Sequence, residues 1–157
     1  SISHSGNILV AAVSKTPIGV DIEKIDAKRM TERLAQRILT DSEKCIYNNT
    51  AANTKAQFLT DAWTAKESVF KLKGEKNFCP NLIPANLKKR LFVSKSESKF
   101  YTAKTVKQKS IAYISKRNSI KIKTINVYFA NDIFSLSVAT QDKKISFTVW
   151  RATLISN

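Results

Sequence analysis

Residues 18–25 alternate with a period of two. Ile18, Val20 and Ile22 fall on one side of an extended strand, and Gly19, Asp21 and Glu23 on the other. Such a strand has one side to bury and one side that presents carboxylates. Further along, residues 54–73 carry Phe58, Leu59, Ala62, Trp63, Val69 and Phe70 at near-helical spacing and stop at Gly74. That pattern predicts a long helix with an apolar stripe and a glycine C-cap. A half-apolar strand and a half-apolar long helix point to an α+β fold, an antiparallel sheet packed against the helix.

The rest of the chain fits this frame. Residues 8–13 read as a mostly apolar, buried strand, and Lys15-Thr16-Pro17 as a turn. The strands at 8–13 and 18–25 are expected to pair with each other, antiparallel. Residues 27–39 read as a helix with Met30, Leu34, Ile38 and Leu39 apolar. Thr40-Asp41-Ser42-Glu43 matches a capping box that opens a second, short helix, ending near Asn48-Asn49-Thr50. Residues 77–84 contain two prolines and read as an irregular connection. Beyond residue 90, β-branched and aromatic residues predict strands near 91–95, 99–105, 110–116, 120–129, 133–139 and 145–151. Asn131-Asp132 and Lys143-Lys144 read as turns. No internal repeat or low-complexity tract interrupts the pattern.

At 157 residues the chain suits a single domain spanning 1–157. No apolar run is long enough to span a bilayer, and no membrane partner is expected. The two cysteines, Cys45 and Cys79, have no partner at zinc spacing. They read as buried, reduced thiols in a cytoplasmic protein. The chain opens on Ser1 without an initiator methionine, Met30 being its only one, which suggests a part of a longer protein. Net charge is +15, and residues 80–157 hold 15 basic side chains against three acidic ones. Such a surface attracts polyanions, whether nucleic acid, anionic membranes, phosphorylated ligands or acidic proteins, unless it is simply a solvated lysine-rich face.

The strand at 18–25 and the helix at 54–73 also carry the chemistry. Asp21 and Glu23 are two apart on a strand, so their carboxylates project from one face and repel unless neutralised. A cation is one answer, and oxygen ligands without His or Cys favour magnesium over zinc. Taken alone, the pair reads better as a solvent-facing acidic edge. Glu67 and Lys71 lie i,i+4 on the predicted helix. Alone they read as an ordinary helix salt bridge, with Trp63 in the core and Lys66 solvated. His4, the only histidine, sits in a polar segment and suits a phosphate contact or a plain surface position equally.

Read jointly and in order, Ser3-His4-Ser5-Gly6, Gly19-Val20-Asp21-Ile22-Glu23 and Trp63-Thr64-Ala65-Lys66-Glu67-Ser68-x-x-Lys71 resemble the 4′-phosphopantetheinyl transferase superfamily. The form is that of the large, two-lobed, surfactin-synthetase-activating type, and the resemblance covers residues 1–75 closely. It implies the C-terminal lobe of that fold. It also implies transfer of the 4′-phosphopantetheine arm of coenzyme A to a serine of an apo acyl or peptidyl carrier protein, releasing adenosine 3′,5′-bisphosphate. Carried over by position, Asp21, Glu23 and Glu67 would hold Mg2+, and Glu67 would accept the serine proton, directly or through water. Lys71 would contact the pyrophosphate, with Lys66 beside it. His4, with its neighbour Ser3, would approach the 3′-phosphate. Carrier proteins are typically acidic, which gives the basic charge a partner.

Two departures stand out. The N-terminal lobe that precedes the Ser-His-Ser segment in the two-lobed type is absent, so a separate lobe or a second copy of the chain would have to complete the cleft. Ser1 also stands where the family often has Asn. The small single-lobe members lack the helix tryptophan and fit less well. The competing readings are a basic nucleic-acid-binding module, for which no recognition motif appears, and an inactive family member.

Overall fold

The computed structural model describes residues 1–85, 110–114, 119–129 and 132–141. It is an α+β structure of two antiparallel sheets and three helices among these residues. Strands β1 (Ile2–Ser5) and β2 (Ile8–Ala11) form a hairpin. Strand β3 (Ile18–Lys24) follows, then helices α1 (Glu32–Ile38), α2 (Asp41–Asn48) and α3 (Ala52–Lys73). A short 3-10 turn at Pro80–Leu82 leads towards β4 (Ser110–Ile114), β5 (Ser119–Phe129) and β6 (Asp132–Thr140). The larger sheet runs in the order β3-β6-β5-β4.

The expected pairing of 8–13 with 18–25 is corrected. Strand β2 pairs with β1 in the register Ser5↔Ile8 and Ile2↔Ala11, whereas β3 pairs with β6, Val20 opposite Val138 and Asp21 opposite Ser137. The cause is the two-residue turn Gly6-Asn7, with Gly6 at φ +55°, a left-handed conformation that closes a tight hairpin. Nor is β2 buried as expected: Leu9 is 69% exposed, and only alternate residues turn inward. The helix expected over 27–39 begins at Glu32. Before it, Asp26 accepts from the backbone N–H groups of Lys28, Arg29 and Met30, closing a turn that Thr31 then converts into the N-cap. Both cysteines are exposed rather than buried. The strands expected at 91–95, 99–105 and 145–151, and the turn at Lys143-Lys144, lie outside the described residues.

Other expectations hold. Thr40 and Glu43 form the capping box of α2, with Glu43 N–H donating to Thr40 Oγ1 and Thr40 N–H to Glu43 Oε2. Helix α3 runs for 22 residues and ends at Gly74, whose φ is +64° and whose N–H donates to Phe70 O. Its buried Phe58, Leu59, Ala62, Ala65 and Val69 join Ile38, Leu39, Ile122 and Ala139 in the main core. The opposite face of β3 and β6 holds a second cluster of Val20, Ile22, Phe134, Leu136 and Val138, against which Ile8 and Val10 pack. The alternation read in β3 is therefore real: its apolar side enters the second cluster, and its other side meets α3.

Two features set how α3 lies. Gly19 is the closest point of approach: a Cβ built there would stand 1.8 Å from the backbone oxygen of Ser68. Phe78 then folds back over the helix, its ring centroid 5.5 Å from Trp63 and 4.9 Å from Phe70. That contact brings the segment around Pro80 and Ala85 onto α2 and α3.

Candidate active site

Strand β3 and the last turns of α3 bring Asp21, Glu67 and Lys71 together. Asp21 is 5% exposed. Its Oδ1 accepts from Lys71 Nζ at 2.8 Å and from Ser3 Oγ at 2.7 Å. Its Oδ2 is buried, and no described group donates to it. Burial raises the Asp21 pKa, opposed by the hydrogen bonds from Lys71 and Ser3, and the charge of Glu23 adds to the rise. Glu67 is half-buried. Burial raises its pKa first, the neighbouring Asp21 raises it further, and Lys71 opposes both. Lys71 therefore spends its charge on the strand carboxylate rather than only on its helix neighbour Glu67, as an i,i+4 pair would suggest.

Glu23 sits at the rim. Its Oε1 accepts from Ser5 Oγ at 3.0 Å and from the guanidinium of Arg29 at 2.9 Å. Arg29 is a residue the sequence reading missed. It arrives through the Asp26 turn, and nothing in the local pattern marks it. Among the described residues, no three His, Cys, Asp or Glu side chains stand as a ready-made ligand cluster. The donor set nevertheless fits a divalent cation. It contains a buried carboxylate oxygen without a donor, a second carboxylate close enough to feel its charge, and a third whose present cation is 64% exposed.

Two residues expected at a phosphate contact are placed elsewhere. Lys66 is neither solvated nor available to a ligand. Its ammonium is 0% exposed, donating to Glu43 Oε2 at 2.7 Å and to Pro80 O at 2.9 Å. Adjacent helix positions lie about 100° apart around the axis, so Glu67 can face β3 only if Lys66 faces α2. Burial lowers the Lys66 pKa, and Glu43 partly restores it. Ser3 is buried with its hydroxyl on Asp21 and cannot also offer it to a phosphate. His4 lies opposite Leu9 on the exposed side of the hairpin. Consecutive strand residues point to opposite faces, so His4 and Ser3 cannot present side chains to one ligand. An open groove lined by Ser42, Cys45, Ile46, Asn49, Thr50 and Thr54 lies between α2 and the start of α3 and contains none of these residues.

Residues 17–117 match the family model described as the 4′-phosphopantetheinyl transferase superfamily. Among characterised proteins, the chain is 31% identical to 4′-phosphopantetheinyl transferase gsp of Aneurinibacillus migulanus over 80 residues, 51% of this chain and 33% of that protein. It is 40% identical to enterobactin synthase component D of Escherichia coli K12 over 74 residues, 45% of this chain and 34% of that protein. It is 35% identical to the 4′-phosphopantetheinyl transferase of Bacillus subtilis over 75 residues, 48% of this chain and 33% of that protein. The chain thus spans about a third of the length of these relatives.

Proposed function

The chain belongs to the 4′-phosphopantetheinyl transferase superfamily, and from that premise we propose that it forms the second lobe of a two-lobed, magnesium-dependent enzyme. The reaction moves the 4′-phosphopantetheine arm of coenzyme A to a serine of an acidic apo carrier protein in the cytoplasm. The domain is 1–157, and a first lobe, from another segment or a second copy, completes the cleft. The match to only a third of each relative supports that division. The single observation that carries the reading is the juxtaposition of Asp21, Glu67 and Lys71, with one buried carboxylate oxygen left for an incoming cation.

Asp21, Glu23 and Glu67 would hold Mg2+. When bound, the ion would supply charge neutralisation to the coenzyme A pyrophosphate and its leaving oxygen. The serine oxygen of the carrier forms a bond to the phosphorus next to the pantetheine arm. The phosphorus–oxygen bond to adenosine 3′,5′-bisphosphate breaks, and the bond's electron pair leaves with that product. The serine proton passes to Glu67, directly or through a water. Lys71 is already beside Asp21 and moves its charge to the pyrophosphate. His4, exposed at the hairpin, is the candidate for the 3′-phosphate. The acidic carrier is drawn by the net charge of +15.

The test is intact-mass spectrometry of apo carrier protein with coenzyme A, Mg2+ and the chain, alone and with the N-terminal part of the Bacillus subtilis relative added. A gain of one phosphopantetheine, lost in Glu67→Gln while the circular dichroism spectrum is kept, is the expected result. No gain with carriers from the same cell under either condition, or full activity in Glu67→Gln, overturns the reading.

A further inference from the structure

Among the described residues, strand β3 is the edge of its sheet, and β1 runs along its free side without pairing to it as a strand. Serine hydroxyls take the place of main-chain partners. Val20 N–H donates to Ser1 Oγ at 3.0 Å, Ile22 N–H to Ser3 Oγ at 3.3 Å and Lys24 N–H to Ser5 Oγ at 3.0 Å. The period of two in Ser1-x-Ser3-x-Ser5 matches the period of the free N–H groups, so the ladder closes an edge that would otherwise be exposed.

The second half of each bond is the more informative. A serine hydroxyl has one proton to donate. Once the oxygen accepts from a backbone N–H, that proton must point elsewhere. In Ser3 it goes to Asp21 Oδ1 at 2.7 Å, and in Ser5 to Glu23 Oε1 at 3.0 Å. Asp21 Oδ1 is thereby tied through Ser3 to the backbone N–H of the residue that follows it; Glu23 Oε1 is tied in the same way through Ser5 and also accepts directly from Lys24 N–H at 3.2 Å. In Asp21 this leaves Oδ2 as the oxygen with no described donor. Ser1 makes the same backbone contact, but the residue before Val20 is Gly19, which has no carboxylate to receive the proton.

The geometry points to Ser3 and Ser5 as positioning residues that orient Asp21 and Glu23 for a divalent cation. This assignment rests on the metal reading of the site. Removing partners that orient ligands typically weakens metal affinity by about 10–100-fold. Ser1 serves as a built-in control for the edge contact alone.

Mn2+ is a suitable probe, because its free-ion electron paramagnetic resonance signal falls on binding. It would be titrated into the 157-residue chain as wild type and as Asp21→Asn, Ser3→Val, Ser3→Thr, Ser5→Ala and Ser1→Ala, with thermal melts of each. Valine and threonine have nearly the same shape and differ by the hydroxyl. Ser3→Val and Ser5→Ala should weaken Mn2+ binding by about tenfold or more. Ser3→Thr should restore most of the affinity, and Ser1→Ala should match wild type. If Ser3→Val unfolds, Ser5→Ala carries the comparison. Equal affinity in Ser3→Val and Ser3→Thr, wild-type affinity in Ser5→Ala, or a loss in Ser1→Ala as large as in Ser5→Ala overturns the positioning role. Asp21→Asn would still bind poorly in each of those cases. If instead wild type and Asp21→Asn take up Mn2+ alike, or neither binds it, the metal reading itself fails and the positioning role falls with it.

Discussion

Lys66 and Glu43 illustrate how a residue's neighbours overrule its type. Both are charged and both are buried, at 0% and 2% side-chain exposure. Glu43 alone receives Thr40 N–H, Ala85 N–H and Lys66 Nζ, so one carboxylate joins the start of α2, the C-terminal half of α3 and the segment after the 3-10 turn. The capping-box role of Glu43 was legible in Thr40-x-x-Glu43, because that motif is local. The bond to Lys66 was not, because the partners are 23 residues apart and only the fold brings them together. Glu43→Ala leaves an uncompensated ammonium in the interior, and unfolding in urea should show a loss of about 3–5 kcal/mol. The apolar double replacement Glu43→Leu, Lys66→Met removes the buried charge but leaves Thr40 N–H and Ala85 N–H without their acceptor, so it should recover only part of that loss.

At the scale of elements, the contact of β3 with α3 depends on Gly19. The 1.8 Å separation that a Cβ would have from Ser68 O involves backbone on both sides, so no side chain can rotate out of the way. Gly19→Ala must push the helix off the strand. Overpacking of this kind typically destabilises by about 1–3 kcal/mol or more. The more specific effect is on the site. Asp21 stands two residues beyond Gly19, and Lys71 one turn beyond Ser68. Displacement therefore lengthens the 2.8 Å contact between them. Under the proposed function, transfer activity in Gly19→Ala is expected to fall about tenfold or more, since misplacement by an ångström is enough for that. A melting curve and an initial-rate measurement on the same preparation check both effects. The helix itself was legible: its stripe and its glycine cap are both local signals. The β1–β2 hairpin turns on Gly6-Asn7, a two-residue turn whose only local mark is the Gly-Asn pair itself.

Across the whole molecule, the site stores unfavourable charge. Asp21 and Glu67 both have pKa values raised above those of the unfolded chain, burial being the first cause in each. The folded state therefore holds protons that the unfolded state releases. The two groups' contribution to stability is full below the ordinary carboxylate range, and is lost as pH rises through the raised folded values. In the proposed metal site, a divalent cation would take over the role of those protons. Millimolar Mg2+ should accordingly raise the melting temperature at pH 7–8 and do little near pH 4, and Asp21→Asn should abolish the difference. Thermal melts across pH with and without Mg2+ check this. An Mg2+ effect equal at both pH values would count against a carboxylate site. No helix among the described residues is long and apolar enough to cross a membrane.

By itself the sequence determined the fold class, the long helix with its glycine cap, the two-sided character of β3 and the family. Each of these is written in spacing along a single element or in the order of short motifs. The tertiary structure decided which strand neighbours which, that Lys66 is interior rather than solvated, that Lys71 answers Asp21, and that Ser3 serves a carboxylate. Those outcomes turn on which side of an element meets which other element. Pairwise distances of this kind, here between residues 18 to 50 positions apart, leave no periodic trace in the chain. The carboxylates on β3 and the Glu–Lys pair on α3 were visible one by one. Their convergence depends on α3 resting directly on Gly19.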